Sequence, residues 1–217
     1  MANEYSDVDV YVVLEQGDSR WKTLYSSSID VPVCTVAELR VVPGIESDGW
    51  WERYAFAHAD VLVDRLAGEI ARLVQRWAKL TEAESRAVLD SRLDSYIIWV
   101  YRSLKSHRDG RRFEARLDAV ESLSWGLMVV FALQQRVRPY SKYLRWELEH
   151  YPLDGMHRAT TRLLDLHERI LDHGSAQAQR ELFGLIEVEA RKAGQSKTID
   201  AWGDELTLLR DGSGRIS

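Results

Sequence analysis

Ser6-Asp7-Val8-Asp9-Val10 runs into Tyr11-Val12-Val13-Leu14 near the start of this 217-residue chain. Along a β-strand successive side chains point to opposite faces. Asp7 and Asp9 therefore share one face, while Val8, Val10, Val12 and Leu14 share the other and can pack into a core. Two ionised carboxylates that close repel each other unless a cation sits between them. A divalent ion with hard oxygen ligands answers that need, and Mg²⁺ holding a nucleoside triphosphate is the common form. Asp30 is a third carboxylate, set in the apolar stretch Ile29-Asp30-Val31. If the two strands are neighbours in one sheet, Asp30 joins Asp7 and Asp9 around the same ion. Three strand-end carboxylates can hold two Mg²⁺, which bridge triphosphate oxygens and activate an attacking hydroxyl.

The elements that must carry these residues can be read along the chain. Residues 8–14 predict one strand and residues 29–34 a second, at an edge or bulge because of Pro32. Residues 59–64 predict a third. Thr35-Val36-Ala37-Glu38-Leu39 predicts a short helix with a Thr cap and Glu38 at the capping-box position. Residues 44–49 read as a loop. After residue 66 the period becomes helical. Thr81-Glu82-Ala83-Glu84 opens a long helix to about His107, which Asp109-Gly110 breaks. Residues 112–136 form a second long helix ended by Pro139. Ser141 caps a third to about His150. Residues 155–172, 176–194 and 197–209 follow as amphipathic helices separated by Gly174 and Gly194. The expectation is an α+β chain: a small mixed sheet domain over 1–66, a helical bundle over 67–210, and a flexible tail over 211–217 containing Gly212-Ser213-Gly214.

Composition narrows the function classes. The net charge is −5, so the molecule as a whole is not built to coat nucleic acid. Charge is uneven: residues 1–66 hold twelve acidic against five basic side chains, while residues 102–145 hold ten basic and four acidic. An acidic, metal-ready segment followed by a basic one suits a bound triphosphate. No apolar run approaches the length of a membrane span. The N-terminus lacks the layout of a signal peptide, and the single Cys34 fits a reducing compartment, so a cytoplasmic protein is expected. Cys34 reads as a small core residue, Trp50-Trp51 as packing, and the six histidines, which lack zinc spacing, as surface or capping groups.

Ser-Asp-x-Asp ahead of an apolar strand, with an acidic residue on a later strand, resembles the polymerase-beta-like nucleotidyltransferases. A small sheet followed by helices is similar to the antibiotic-modifying members, the kanamycin and lincosamide nucleotidyltransferases. Asp94-Ser95-Tyr96, Tyr101-Arg102-Ser103-Leu104-Lys105 and Arg136-Val137-Arg138-Pro139-Tyr140-Ser141-Lys142-Tyr143-Leu144 resemble stretches of bacterial relatives. The resemblance implies Asp7, Asp9 and Asp30 as metal ligands. It implies Mg²⁺-dependent transfer of AMP from ATP, or of another nucleoside monophosphate, to a hydroxyl of a small aminoglycoside-like or lincosamide-like acceptor. Glu46, Asp48 and Glu52 would suit a cationic sugar. It also implies a catalytic base in the helical half. Asp94 is the first choice, because at 100° per residue Asp94, Tyr101 and Lys105 fall on one stripe with Arg102 beside it. A carboxylate there can accept the hydroxyl proton while Lys105 and Arg102 meet phosphate oxygens. Glu121, just before the most apolar stretch, is the second choice, since a Glu so placed must be partnered or functional. Lys142 and Tyr143 resemble the Lys and Tyr that touch triphosphate and base, and many relatives build the cleft across a homodimer, which Trp-rich helices permit here.

One departure sets up alternatives. The family places a Gly-Ser turn ahead of its first Asp to grip the β,γ-phosphates. Here only Met1 to Ser6 precede Asp7, and none is Gly. Either the natural start lies earlier, or the chain is a weak or inactive binding or regulatory protein of that fold. A protein-modifying adenylyltransferase is the further alternative.

Overall fold

The computed structural model describes residues 7–153 and 157–211. Its order is β1 (Val8–Asp9), β2 (Val12–Leu14), β3 (Ile29–Asp30), β4 (Val33–Thr35), α1 (Val36–Leu39), a 3₁₀ helix (Asp48–Phe56), α2 (Glu69–Ala78), α3 (Glu82–Arg108) and α4 (Arg112–Leu133). A 3₁₀ turn (Ser141–Tyr143), α5 (Leu144–His150), α6 (His157–His173), α7 (Ala176–Lys192), α8 (Ser196–Asp200), a 3₁₀ turn (Gly203–Glu205) and α9 (Leu206–Arg210) complete it. The chain is mostly helical, with a small β part near the N-terminus. It divides into two compact units, one running to Ala78 and one beginning at Lys79. The composition shift at residue 66 precedes that division, because α2 belongs with the strands: Trp77 lies in one cluster with Leu39 and Phe56. The Gly212-Ser213-Gly214 segment and the first turn expected at 155 lie outside the described residues.

In the first unit, β1 pairs with β3 and β2 with β4, both parallel. The bonds Val10 N–H to Asp30 O (2.8 Å) and Val12 N–H to Pro32 O (2.9 Å) carry the ladder across the gap, so two strands run side by side from 8 to 14 and from 29 to 35. The other edge of the second strand is covered by Leu24, which exchanges both backbone bonds with Val31, and by Thr23 Oγ1, which accepts from Val33 N–H. Thr35 and Glu38 form the expected capping box on α1.

Two expectations fail here. The face expected to form the core, Val8, Val10, Val12 and Leu14, contains no buried residue, and Val8 is 56% exposed. The opposite face holds no buried residue either, yet it supplies the contacts with the cluster: Tyr11, 40% exposed, sets its ring 4.9 Å from Phe56, and half-buried Val13 packs with Cys34 on Leu39, Phe56 and Trp77. Residues 59–64 form no strand. Asp64 instead takes backbone N–H groups of Leu66 (2.8 Å) and Ala71 (3.1 Å) and so turns the chain into α2. Burial works against that carboxylate, but the N–H groups from Ala71, Leu66, Gly68 and Ile70 outweigh it and hold its pKa low. Arg53, fully buried on the 3₁₀ helix, caps the far end of α2 by donating to the carbonyls of Trp77 (3.0 Å) and Arg76 (3.3 Å).

In the second unit α3 and α4 form an antiparallel pair. Thr81 and Glu84 make the capping box that opens α3. Ser103 Oγ donates to Ala115 O (2.6 Å) near one end of the pair, and Ser85 Oγ to Ala132 O near the other. Gly126 brings α4 against the Tyr96 ring; a Cβ there would stand 3.0 Å from it. The second helix ends at Leu133, short of the expected 136, because Gln135 takes a left-handed conformation (φ 52°) and frees Arg136 to bridge Lys79. Ser141 does not cap α5; it lies inside the 3₁₀ turn that leads into it. The stretch 197–209 is not one helix: Gly203 (φ 50°) separates α8 from α9. Glu187 on α7 ties these pieces down, accepting from Arg191 Nε (2.9 Å) and from Arg210 Nε (3.1 Å). Among the described residues no helix is long and apolar enough to cross a membrane.

Candidate metal centre

The register of the parallel ladder builds the candidate centre. Asp9 is the in-register partner of Asp30. In-register residues of neighbouring strands point to the same face about 4.8 Å apart, and Asp7 lies two residues earlier on that face. The result is one carboxylate oxygen from each of Asp7, Asp9 and Asp30, all within 4.8 Å of one another. Asp7 and Asp9 are exposed and Asp30 is half-buried. Asp30 is also fixed from behind: its Oδ1 accepts the Ser26 N–H at 2.9 Å, while Ser26 Oγ donates to Ile29 O at 2.6 Å. This turn at Ser26 has no signal in the strand pattern, since serine there is one of three in Ser26-Ser27-Ser28.

An all-carboxylate set is a hard donor set. It suits Mg²⁺, Mn²⁺ or Ca²⁺, and lacks the thiolate or imidazole that zinc or copper prefer. Asp7, Asp9 and Asp30 thus present a donor set and spacing that fit a divalent cation.

The remaining site expectations lie in the second unit. Asp94 is exposed on α3, and Trp202 Nε1 donates to its Oδ1 at 2.9 Å. The Trp202 ring is 5.4 Å from that of Tyr101, and Lys105 Nζ stands 6.0 Å from the Tyr101 ring centre. The expected stripe of Asp94, Tyr101 and Lys105 is thus held together by a tryptophan 108 residues further along the chain, which no spacing rule could have found. Arg102 lies over Trp99 at 5.0 Å. Glu121 is exposed, so the argument that burial demands a partner or a function for it does not apply. Its neighbour Asp118 is the carboxyl on α4 with a raised pKa; burial is the main cause, the Arg102 and Arg111 charges oppose it, and Glu114 and Glu121 add to it. Lys142 is exposed, with Nζ 4.8 Å from the ring of half-buried Tyr143. Asp48 and Glu52 stand exposed on the 3₁₀ helix of the first unit.

Of the histidines, His167 is not a surface group. It is 6% exposed, its Nδ1 pairs with Leu163 O at 2.7 Å, and burial lowers its pKa. Burial likewise raises the pKa of Cys34, with a smaller push from Glu38, which makes it a packed thiol.

Comparison with known proteins gives no match: no family model, no curated sequence and no solved structure matches the chain.

Proposed function

We propose that this chain is a Mg²⁺-dependent nucleotidyltransferase of the polymerase-beta-like fold, moving AMP or another nucleoside monophosphate from a nucleoside triphosphate to a hydroxyl group. The observation that carries this reading is the convergence of Asp7, Asp9 and Asp30 on one face of a parallel strand pair. Mg²⁺ bound by these carboxylates would supply charge neutralisation of the triphosphate and polarise its oxygens. In the transfer, the acceptor oxygen forms a bond to the α-phosphorus and the bond to the β-phosphate oxygen breaks. Pyrophosphate leaves, and the acceptor proton passes to a carboxylate. The resemblance offers Asp94 for that role, and within the second unit the Trp202 indole fixes its orientation. It likewise offers Lys105 and Arg102 as the positive charge for phosphate oxygens. The acceptor class proposed is a small hydroxyl compound of the aminoglycoside or lincosamide kind.

The test is direct. Purified protein is incubated with Mg²⁺, α-labelled ATP and a panel of hydroxyl acceptors, in parallel with cell extract. Pyrophosphate release with label on a small molecule is the expected outcome, and Asp9→Asn should abolish it while the protein stays folded by far-ultraviolet dichroism. Label on protein would move the acceptor to a protein hydroxyl. Transfer that persists in Asp9→Asn, or no calorimetric binding of ATP with Mg²⁺, would sink the reading.

A further inference from the structure

The first half of α4 is apolar on two opposite faces. Ala115, Ala119 and Ser122 are at most 1% exposed and face the bundle. On the other side Phe113 is 72% exposed, Leu117 54% and Val120 46%. Their spacing of four and then three residues draws a single stripe along two turns of helix, with Ser124 next in line. A helix that packs one face in the core gains nothing by repeating large apolar residues on the other unless something covers them.

The charges beside the stripe say what covers it. At 100° per residue, Arg112 and Arg116 flank it on one side, and Glu114 and Glu121 on the other. A partner helix related by a two-fold axis parallel to α4 sets the basic flank of each copy against the acidic flank of the other. With Phe113 and Val120 as d positions and Leu117 as a, Arg116 takes g and Glu121 the e position five residues on. This is the spacing at which g and e′ side chains pair between parallel helices. An antiparallel pair would instead set Arg116 against Arg116 and Glu114 against Glu121. An anionic lipid surface would attract the basic flank but repel the acidic one. The stripe's own pattern therefore favours one occupant.

We infer that the solvent face of α4, centred on Leu117, is the contact surface for a second copy of this chain, the two α4 helices lying parallel about a two-fold axis. Arg116 is already held in place for this by a bond from its Nη2 to Asp172 O at 3.0 Å, which uses one of its five N–H donors. A stripe of three side chains is smaller than a standard interface, so the dimer is a weak one, with a Kd on the order of micromolar to tens of micromolar.

Sedimentation equilibrium of the full chain across the micromolar range tests this. The wild-type chain should pass from monomer to dimer, and Leu117→Glu should remain monomeric with unchanged far-ultraviolet dichroism. Arg116→Glu and Glu121→Arg should each weaken the dimer about tenfold, since two symmetry-related pairs become like-charged. The double variant should recover wild-type affinity to within a few-fold. Ser124→Cys in a Cys34→Ser background should cross-link to its own counterpart, which only the parallel arrangement allows. A wild-type monomer throughout overturns the proposal, as does a dimer that survives Leu117→Glu or a double variant no better than the singles. Co-flotation of the monomer with phosphatidylserine vesicles, lost in Leu117→Glu, would assign the stripe to a membrane surface and overturn it equally.

Discussion

Removing one charge from the acidic triad should have opposite effects with and without metal. Asp7 is the exposed member at the head of β1, with oxygens of Asp9 and Asp30 within 4.8 Å. At that separation in water, two unit charges repel by about 0.9 kcal/mol. Physiological salt, with a screening length of about 8 Å, cuts this roughly in half. Asp7 faces two such neighbours, so Asp7→Asn should stabilise the metal-free protein by about 1 kcal/mol. For a chain of this length that is a rise in Tm of roughly 2–4 °C. Saturating Mg²⁺ reverses the order. At a hundred times its Kd, a bound ion stabilises the wild-type protein by about 2.7 kcal/mol. Loss of a direct ligand weakens binding by at least the ~100-fold seen for supporting residues, so the same Mg²⁺ concentration gives the variant only about 0.4 kcal/mol. Thermal melting in chelator, and again in Mg²⁺ at matched ionic strength, should therefore show the variant melting higher in the first buffer and lower in the second. A variant that melts below wild type in chelator, or equal Mg²⁺ shifts for both proteins, would refute the assignment of these carboxylates to a cation.

Other perturbations follow from the second unit. Glu187→Gln removes the carboxylate that Arg191 and Arg210 share; both guanidiniums are partly exposed and Arg191 keeps Asp200, so the cost should be about 1–2 kcal/mol, read as a lower urea midpoint. Although burial opposes it, the bonds from Arg210 and Arg191 hold the Glu187 carboxyl below its usual range. Its contribution is thus fully present above the ordinary carboxylate pKa and is lost as pH falls through the folded value; a wild-type urea midpoint that does not drop between pH 6 and pH 3 more than that of Glu187→Gln would contradict this. Tyr96 is fully buried, burial raises its pKa, and its hydroxyl has no hydrogen-bond partner among the described residues, so Tyr96→Phe should stabilise by about 1 kcal/mol in a calorimetric scan. Trp202→Phe removes the donor to Asp94 while keeping a ring beside Tyr101. Stability should change by no more than about 1 kcal/mol, whereas turnover in the transfer assay should fall with KM unchanged. Unchanged turnover would take Asp94 out of the reaction.

Much of the local structure was legible because its causes are local. Thr35 with Glu38 and Thr81 with Glu84 bond within four residues of each other, so their spacing alone predicts the helix starts. Gly110, Gly174 and Gly194 each take a positive φ near a helix end, where glycine in an amphipathic pattern predicts a break. The errors share a different cause. Residues 59–64 have strand composition, yet they form no strand and Asp64 takes the Leu66 and Ala71 N–H groups at the start of α2. The strand 8–14 shows which residues share a face but not which of them meets the core; Tyr11 meets Phe56 and Val13 the cluster of Leu39, Phe56 and Trp77, residues from elements that the strand pattern does not mention. The link from Asp94 to Trp202 spans too much chain for any periodicity to reveal.

What the sequence by itself determined is the set of short-range relations: Asp7 beside Asp9 on one strand face, the capped starts of α1 and α3, and the succession of strands and then helices. Backbone geometry repeats every two residues in a strand and every 3.6 in a helix, and those periods are written directly in residue order. Only the tertiary structure decided that Asp30 falls in register with Asp9, that Val13 on the carboxylate face is the residue packed on the Leu39–Phe56–Trp77 cluster, and that Trp202 holds Asp94. Each of these depends on two distant segments competing for the same partner, and that competition is settled by packing rather than by spacing.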